Sequence, residues 1–137
     1  PLRGPGVTRE DMLAGVGPVV REEWSRTEDP ASAAVTGDVV WDEATQTGYM
    51  RFSGLPANDP AEIQYQLWIF DGTRDDRFPV DGGVFDVPAG VTEVVVPIKA
   101  TLPVRQAALF AVTVEQPGGV MVSSRERIVA LAPVASG

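Results

Sequence analysis

Three short blocks of β-type sequence, each edged by turn-forming residues, constrain the fold of this chain more than any other feature. They span residues 65–71, 82–87 and 110–115, and the last runs into Pro117-Gly118-Gly119. Successive side chains of a strand point to opposite faces, so apolar residues recurring with a period of two predict strands. The chain also holds 14 Gly and 12 Pro residues. Such a content suits short strands joined by turns better than a helical bundle.

The same pattern extends to both sides of these blocks. It predicts strands at 36–42, 49–55, 63–71, 80–87, 92–98 and 107–115, and a last strand or pair of strand segments across 120–131. About seven strands with turns at short intervals predict an all-β fold, an antiparallel β-sandwich of immunoglobulin-like type. Gly82-Gly83 predicts a bulge or bend in its strand. We expect a core that includes Trp41, Phe52, Tyr65, Leu67, Val96, Phe110 and Val112.

Residues 1–35 differ from this pattern and predict a partly helical lead-in segment. Thr8 and Asp11 form a weak capping box before an apolar pair. Pro18 suits the first turn of a second short helix, which would place Val20 and Trp24 on one face. We expect Trp24 to pack on the sandwich. The predicted organisation is a lead-in at 1–35, a sandwich at 36–132 and a tail at 133–137.

Composition excludes several classes of function. The chain of 137 residues has no Cys and no His, so it holds neither a thiolate nucleophile, a Ser-His-Asp triad nor a Cys/His zinc site. The net charge is −8 and the basic residues do not cluster, which disfavours nucleic acid as a partner. We expect no catalytic residue, no cofactor and no metal. No stretch approaches the roughly 18 apolar residues of a spanning helix.

Four sets of residues have the composition of a site, but each fits a plainer role better. Trp41, Tyr65 and Trp68 would suit an aromatic sugar platform, but core packing is favoured. Ser123 lacks a neighbouring base, and Gly82-Gly83 and Gly118-Gly119 fit turns with positive φ better than phosphate cradles. A cluster of carboxylates offers oxygen ligands to calcium, although Arg74 and Arg77 lie among them, so a solvated loop is favoured. These carboxylates belong to Asp71, Asp75, Asp76, Asp81 and Asp86.

Several segments, taken in order, resemble the C-terminal domain of the anti-sigma-K factor family. They are Gly37-Asp38-Val39-Val40-Trp41, Gly54-Leu55-Pro56, Tyr65-Gln66-Leu67-Trp68, Gly83-Val84-Phe85 and Val112-Thr113-Val114-Glu115 with Pro117-Gly118-Gly119. The Tyr-Gln-Leu-Trp strand is the most specific of them. The charged loop 73–79 is longer than the family pattern, which indicates a subgroup whose signal differs.

This resemblance implies a regulatory domain without catalytic residues, outside the cytoplasmic membrane of a bacterium. It would follow one membrane helix and a cytoplasmic segment that holds a sigma factor inactive. Because the chain starts at Pro1, we expect it to be a fragment whose missing part holds that helix and segment. A site-1 protease or an extracytoplasmic signal would be a further partner. The alternative is a stand-alone carbohydrate- or protein-binding sandwich module.

Overall fold

The computed structural model of the protein describes residues 19–135. Within this range the chain forms two antiparallel sheets of four strands each, which confirms the predicted all-β sandwich. The strands are β1 (Val20–Glu23), β2 (Thr36–Asp42), β3 (Thr47–Ser53), β4 (Gln64–Asp71), β5 (Val80–Phe85), β6 (Glu93–Pro97), β7 (Ala107–Glu115) and β8 (Ile128–Pro133).

The two sheets divide the chain in an immunoglobulin-like manner. The first sheet has the order β1-β2-β3-β6 and the second the order β5-β4-β7-β8. The chain therefore crosses between sheets after β3, β5 and β6, so that β6 returns beside β3 and β7 beside β4. Such connections are of the Greek-key type. The strands β2 to β8 correspond to the seven predicted strands, and β1 is an additional one.

The predicted helix at Pro18 with Val20 and Trp24 on one face is wrong. Residues Val20–Glu23 form β1, which pairs with β2 so that Glu23 lies opposite Asp38. Pairing with β2 satisfies the backbone of this segment, and tertiary pairing overrides weak local propensity in so short a stretch. One turn of 3-10 helix at Pro30–Ser32 follows, and the Asp29 side chain accepts a hydrogen bond from Ala31 N. The proposed capping box at Thr8 lies outside the described residues.

The predicted last strand is also partly wrong. β8 begins only at Ile128, and residues 120–127 are not in a strand. Met121 and Val122 are 95% and 58% exposed, so their apolar character, which predicted a strand here, does not reflect burial. We call residues 116–127 the strap, because they fold back over the outer face of the second sheet.

The core lies between the sheets and contains the predicted residues. Six of the seven are buried, and Val96 is partly buried against them. Four rings stack in series through this core, with centroid separations of 4.8, 5.6 and 5.5 Å. Stacked aromatic rings add to the stabilisation from area burial alone. The series runs from Trp24 through Phe52 and Phe85 to Tyr65.

The paired glycines serve the sheet and its turn. A bulge interrupts the pairing of β4 with β5 between Leu67 and Trp68, where Gly82 has no direct partner, as predicted. Gly83, Gly118 and Gly119 have positive φ, but Gly82 does not. The prediction that positive φ explains all four glycines is therefore wrong for Gly82. At Gly82 a side chain would come within 2.7 Å of Leu67 Cδ2, so close packing is what requires glycine there.

Candidate functional site

The three aromatic residues that would suit a sugar platform do not come together. Trp41 and Tyr65 are buried between the sheets, whereas Trp68 points from the outer face of β4, because it follows Leu67 in a strand. Trp68 is only 2% exposed, since the strap covers this face. β4 is thus a central strand that is covered on both faces. No aromatic platform is open to solvent at these positions.

Gln66 fixes the strap to the sheet. Its side-chain amide donates to Val120 O at 3.0 Å and accepts from Val120 N at 2.9 Å, as a neighbouring strand would. Farther along, the Arg125 guanidinium lies 4.8 Å from the centre of the Phe70 ring and donates to Asp76 O. A cation over an aromatic face is attracted by the ring quadrupole. The strap is therefore held at two points on the outer face.

A chain of side-chain hydrogen bonds runs from the sheet to the strap between these points. Trp68 Nε1 donates to Thr113 Oγ1 at 2.9 Å, and that hydroxyl donates to Glu115 Oε2 at 2.6 Å. Ser123 Oγ donates to the same carboxylate oxygen at 2.5 Å. The serine hydroxyl thus has a structural role, because its partner Glu115 anchors the strap. This arrangement offers no activated nucleophile.

A cavity of about 400 Å³ lies on the outer face of the second sheet, and Arg125 of the strap contributes to its lining. Its walls are mainly apolar, and Asp76, Thr113 and Arg125 supply the polar lining. Small-molecule sites of this kind commonly enclose about 300–1,000 Å³. The apolar lining comes from Trp68, Phe70, Leu109, Ala111, Ile128 and Leu131. The cavity suits an apolar ligand sterically and contains no acid–base pair for catalysis.

The carboxylates that could offer ligands to calcium have separate structural roles. Asp71 accepts hydrogen bonds from Thr73 N and Arg105 N, both at 2.8 Å, and so joins two loops. Asp75 binds Arg77 at 2.7 Å, and Asp81 accepts from Gly83 N. Within residues 19–135 no group of three or more acidic residues is placed to hold a metal ion. That the loop binds no calcium tightly stays a prediction.

The environment of Asp71 changes its acidity. Burial alone would raise the pKa of this carboxyl group, but the hydrogen bonds donated by Arg105, Thr73 and Gln106 outweigh that effect. The pKa of Asp71 therefore lies below its ordinary value. Hydrogen bonds to a carboxylate favour its charged form, so the folded protein holds Asp71 ionised.

A ladder of charges crosses the outer face of the first sheet, and the sequence did not reveal it. The carboxylate of Asp38 on β2 lies 3.0 Å from Arg21 on β1 and 3.4 Å from Arg51 on β3. Arg51 in turn reaches Glu93 on β6 at 3.2 Å. Burial alone would lower the pKa of Arg51, but the charges of Asp38 and Glu93 and the hydrogen bonds to them together outweigh this effect and raise it. The ladder connects all four strands of the sheet.

The comparisons with known proteins identify the family. The model for the C-terminal region of anti-sigma-K factor RskA matches residues 9–124, a range that includes β1 to β7. Neither curated proteins nor solved structures gave a match. The family is regulatory and membrane-associated, and the anti-sigma role implies a sigma factor as partner. Among residues 19–135, no helix has the length and apolar character needed to cross a membrane.

Proposed function

Because this chain belongs to the anti-sigma-K factor RskA C-terminal family, we propose that it is the extracytoplasmic regulatory domain of a membrane-bound anti-sigma factor. The sigma factor is held by a cytoplasmic segment upstream of the membrane helix and not by this domain. The match over residues 9–124 carries this proposal. The domain itself performs no reaction, and its contribution is mechanical.

In the proposed mechanism the folded sandwich keeps the segment beside the membrane away from proteases. A ligand, a partner or loss of folding exposes that segment, a site-1 protease cuts it, and the sigma factor is released. The way β1 is held supports this view. Trp24, at 6% exposure, stacks on Phe52 and donates from Nε1 to Arg51 O at 3.1 Å. The segment that the folded sandwich would protect from proteases therefore lies before Val20 and does not extend over the whole of residues 1–35.

A labelling experiment tests the proposed location. The chain has no cysteine, so single thiols can be introduced into the full-length protein, with other cysteines removed. Ala57→Cys places a thiol on an exposed loop, and Ala130→Cys places one at a site that is 0% exposed. A membrane-impermeant maleimide added to intact cells should label Ala57→Cys rapidly. Ala130→Cys should react only after the cells are lysed in denaturant.

The outcomes are distinct. Labelling of Ala57→Cys that requires permeabilised cells would place the domain in the cytoplasm and refute the proposal. Labelling of Ala130→Cys in intact cells would instead report an unfolded domain, which would invalidate the comparison and require a milder expression level.

A further inference from the structure

Exposed apolar side chains are concentrated around one groove. Six large hydrophobic residues of the described chain are exposed, and four of them line this groove: Phe78, Leu102, Met121 and Val122. We call these four the apolar rim. They come from three separate segments, and Met121 is 95% exposed. Contiguous apolar surface of this kind marks a contact site for a partner or a membrane, whereas single exposed residues need no explanation.

The groove belongs to the end of the sandwich at which β1 begins. Val20 lies opposite Trp41, so the start of β1 is beside the turn that joins β2 and β3. The side chain of Gln46 in that turn exchanges two hydrogen bonds with the backbone of Val104, each 2.7 Å long. Thr101 N, which like Val104 lies in the connection between β6 and β7, donates to Asp81 O at 3.0 Å. We call this the proximal end.

The loops that contribute the apolar rim are richer in basic residues than the chain as a whole, and Arg74 lines the groove. The segments 72–79, 99–106 and 120–125 contain five of the 11 basic residues and only two of the 19 acidic ones. Asp75 and Arg77 form an ion pair at 2.7 Å and neutralise each other. Asp81 also lines the groove, with its carboxylate turned to Gly83 N. The basic residues are Arg74, Arg77, Lys99, Arg105 and Arg125.

We propose that the proximal end docks on the anionic surface of the membrane, with the apolar rim inserted between lipid headgroups. Apolar side chains flanked by Lys and Arg are the composition that binds at this interface. The topology agrees with this orientation, because β1, the first described strand, begins at the same end. The inference rests on the proposed function, which places a membrane helix upstream of that segment.

Binding of the full 137-residue chain to lipid vesicles tests the inference. Vesicles of phosphatidylcholine with phosphatidylglycerol are compared with phosphatidylcholine alone, by sedimentation at low and near-physiological salt. The variant combines Phe78→Ser, Leu102→Ser and Met121→Ser. Its matched control combines Val91→Ser and Val95→Ser, which replace valines 47% and 44% exposed that lie away from the groove. Circular dichroism and urea melts establish that both variants fold.

Wild type and control should bind anionic vesicles, and added salt should weaken that binding because it screens exposed charges. The rim variant should bind at least about tenfold more weakly, since each lost side chain removes apolar burial. Arg74→Gln should weaken binding to anionic vesicles alone.

Equal binding by rim and control variants would overturn the inference, as would no binding by the wild type. Self-association of the wild type that the rim variant loses, without vesicle binding, would assign the rim to a second copy instead. The vesicles contain no sigma factor, helix or protease, so this assay fails or succeeds independently of the proposed function. Labelling of Ala57→Cys in intact cells together with no vesicle binding would reject the inference and leave that function standing.

Discussion

Replacement of Trp24 by Ala tests how firmly the start of the domain is held. The side chain is 6% exposed, and its ring lies 4.8 Å from that of Phe52 at an interplanar angle of 11°. Truncating a buried Trp to Ala costs about 3–5 kcal/mol. A domain of this size has a total stability of about 5–15 kcal/mol, so the loss would be a large fraction of it. Trp24→Ala should accordingly lower the urea midpoint strongly.

Trp24→Phe is the matched control, because it keeps a ring against Phe52 and loses only the indole N–H bond to Arg51 O and some volume. We expect it to cost clearly less than Trp24→Ala, with the hydrogen bond accounting for about 0.5–1.5 kcal/mol. Limited trypsin digestion with mass spectrometry gives a second measure. Cleavage after Arg21 and Arg26 should be faster in Trp24→Ala than in either other protein. Those arginines otherwise bind Asp38 at 3.0 Å and Val35 O at 2.9 Å.

A loss below about 1 kcal/mol in Trp24→Ala would refute this reasoning, because even partial burial of such a ring is worth more. Equal cleavage rates in all three proteins would show that β1 detaches readily in the wild type. The protease-shielding mechanism would then lose its structural support.

Three further results are expected. Trp68→Phe should destabilise by about 1 kcal/mol more than Trp41→Phe in urea melts, because Trp68 Nε1 loses a bond to Thr113 while Trp41 Nε1 is buried without a partner among residues 19–135; equal costs would contradict this. Asp71, whose pKa is lowered from 3.8, contributes stability that is present above that pH and lost as the pH falls through its folded pKa. Melts from pH 5 to 2 should therefore show a shallower loss in Asp71→Asn, and parallel curves would contradict it. Gly82→Ala should lower the free energy of unfolding by about 1–3 kcal/mol through overpacking against Leu67. An unchanged urea melt would mean that the neighbouring side chains move to accommodate the added methyl group.

The sequence correctly predicted the strands in which apolar residues recur at regular positions. It did not predict the elements whose conformation depends on the strand they pair with. β3 and β4 contain apolar residues at regular positions, so Phe52 and Leu67 could be placed in the core without a structure. β1 has four residues with a single hydrophobic one, Val20, and only its pairing with β2 makes it a strand. The prediction of a strand in the strap was wrong for the opposite reason. Its apolar residues Met121 and Val122 indicated a strand, yet they are exposed in the folded chain.

The surface features could not be predicted without the register between the strands. Asp38 and Arg51 are directly opposite each other in β2 and β3, a relation that spacing along the chain does not show. The same holds for Gln66, whose amide takes the place of a strand neighbour for Val120. The apolar rim was beyond prediction because its four members are contributed by three loops. By contrast, the absence of His and Cys excluded whole classes of site from composition alone.

Sigma-dependent transcription in cells with destabilised domains tests the central claim most directly. Leu67 is 0% exposed, so Leu67→Ala should cost about 2–5 kcal/mol, whereas Val95→Ala changes a side chain 44% exposed and should cost little. In the full-length protein, Leu67→Ala should raise expression from a promoter of the cognate sigma factor, with cleavage of the anti-sigma factor seen on immunoblots. Val95→Ala should leave both at the wild-type level. Unchanged transcription and an uncleaved protein in Leu67→Ala, despite an unfolded domain, would contradict control of sigma release by this sandwich.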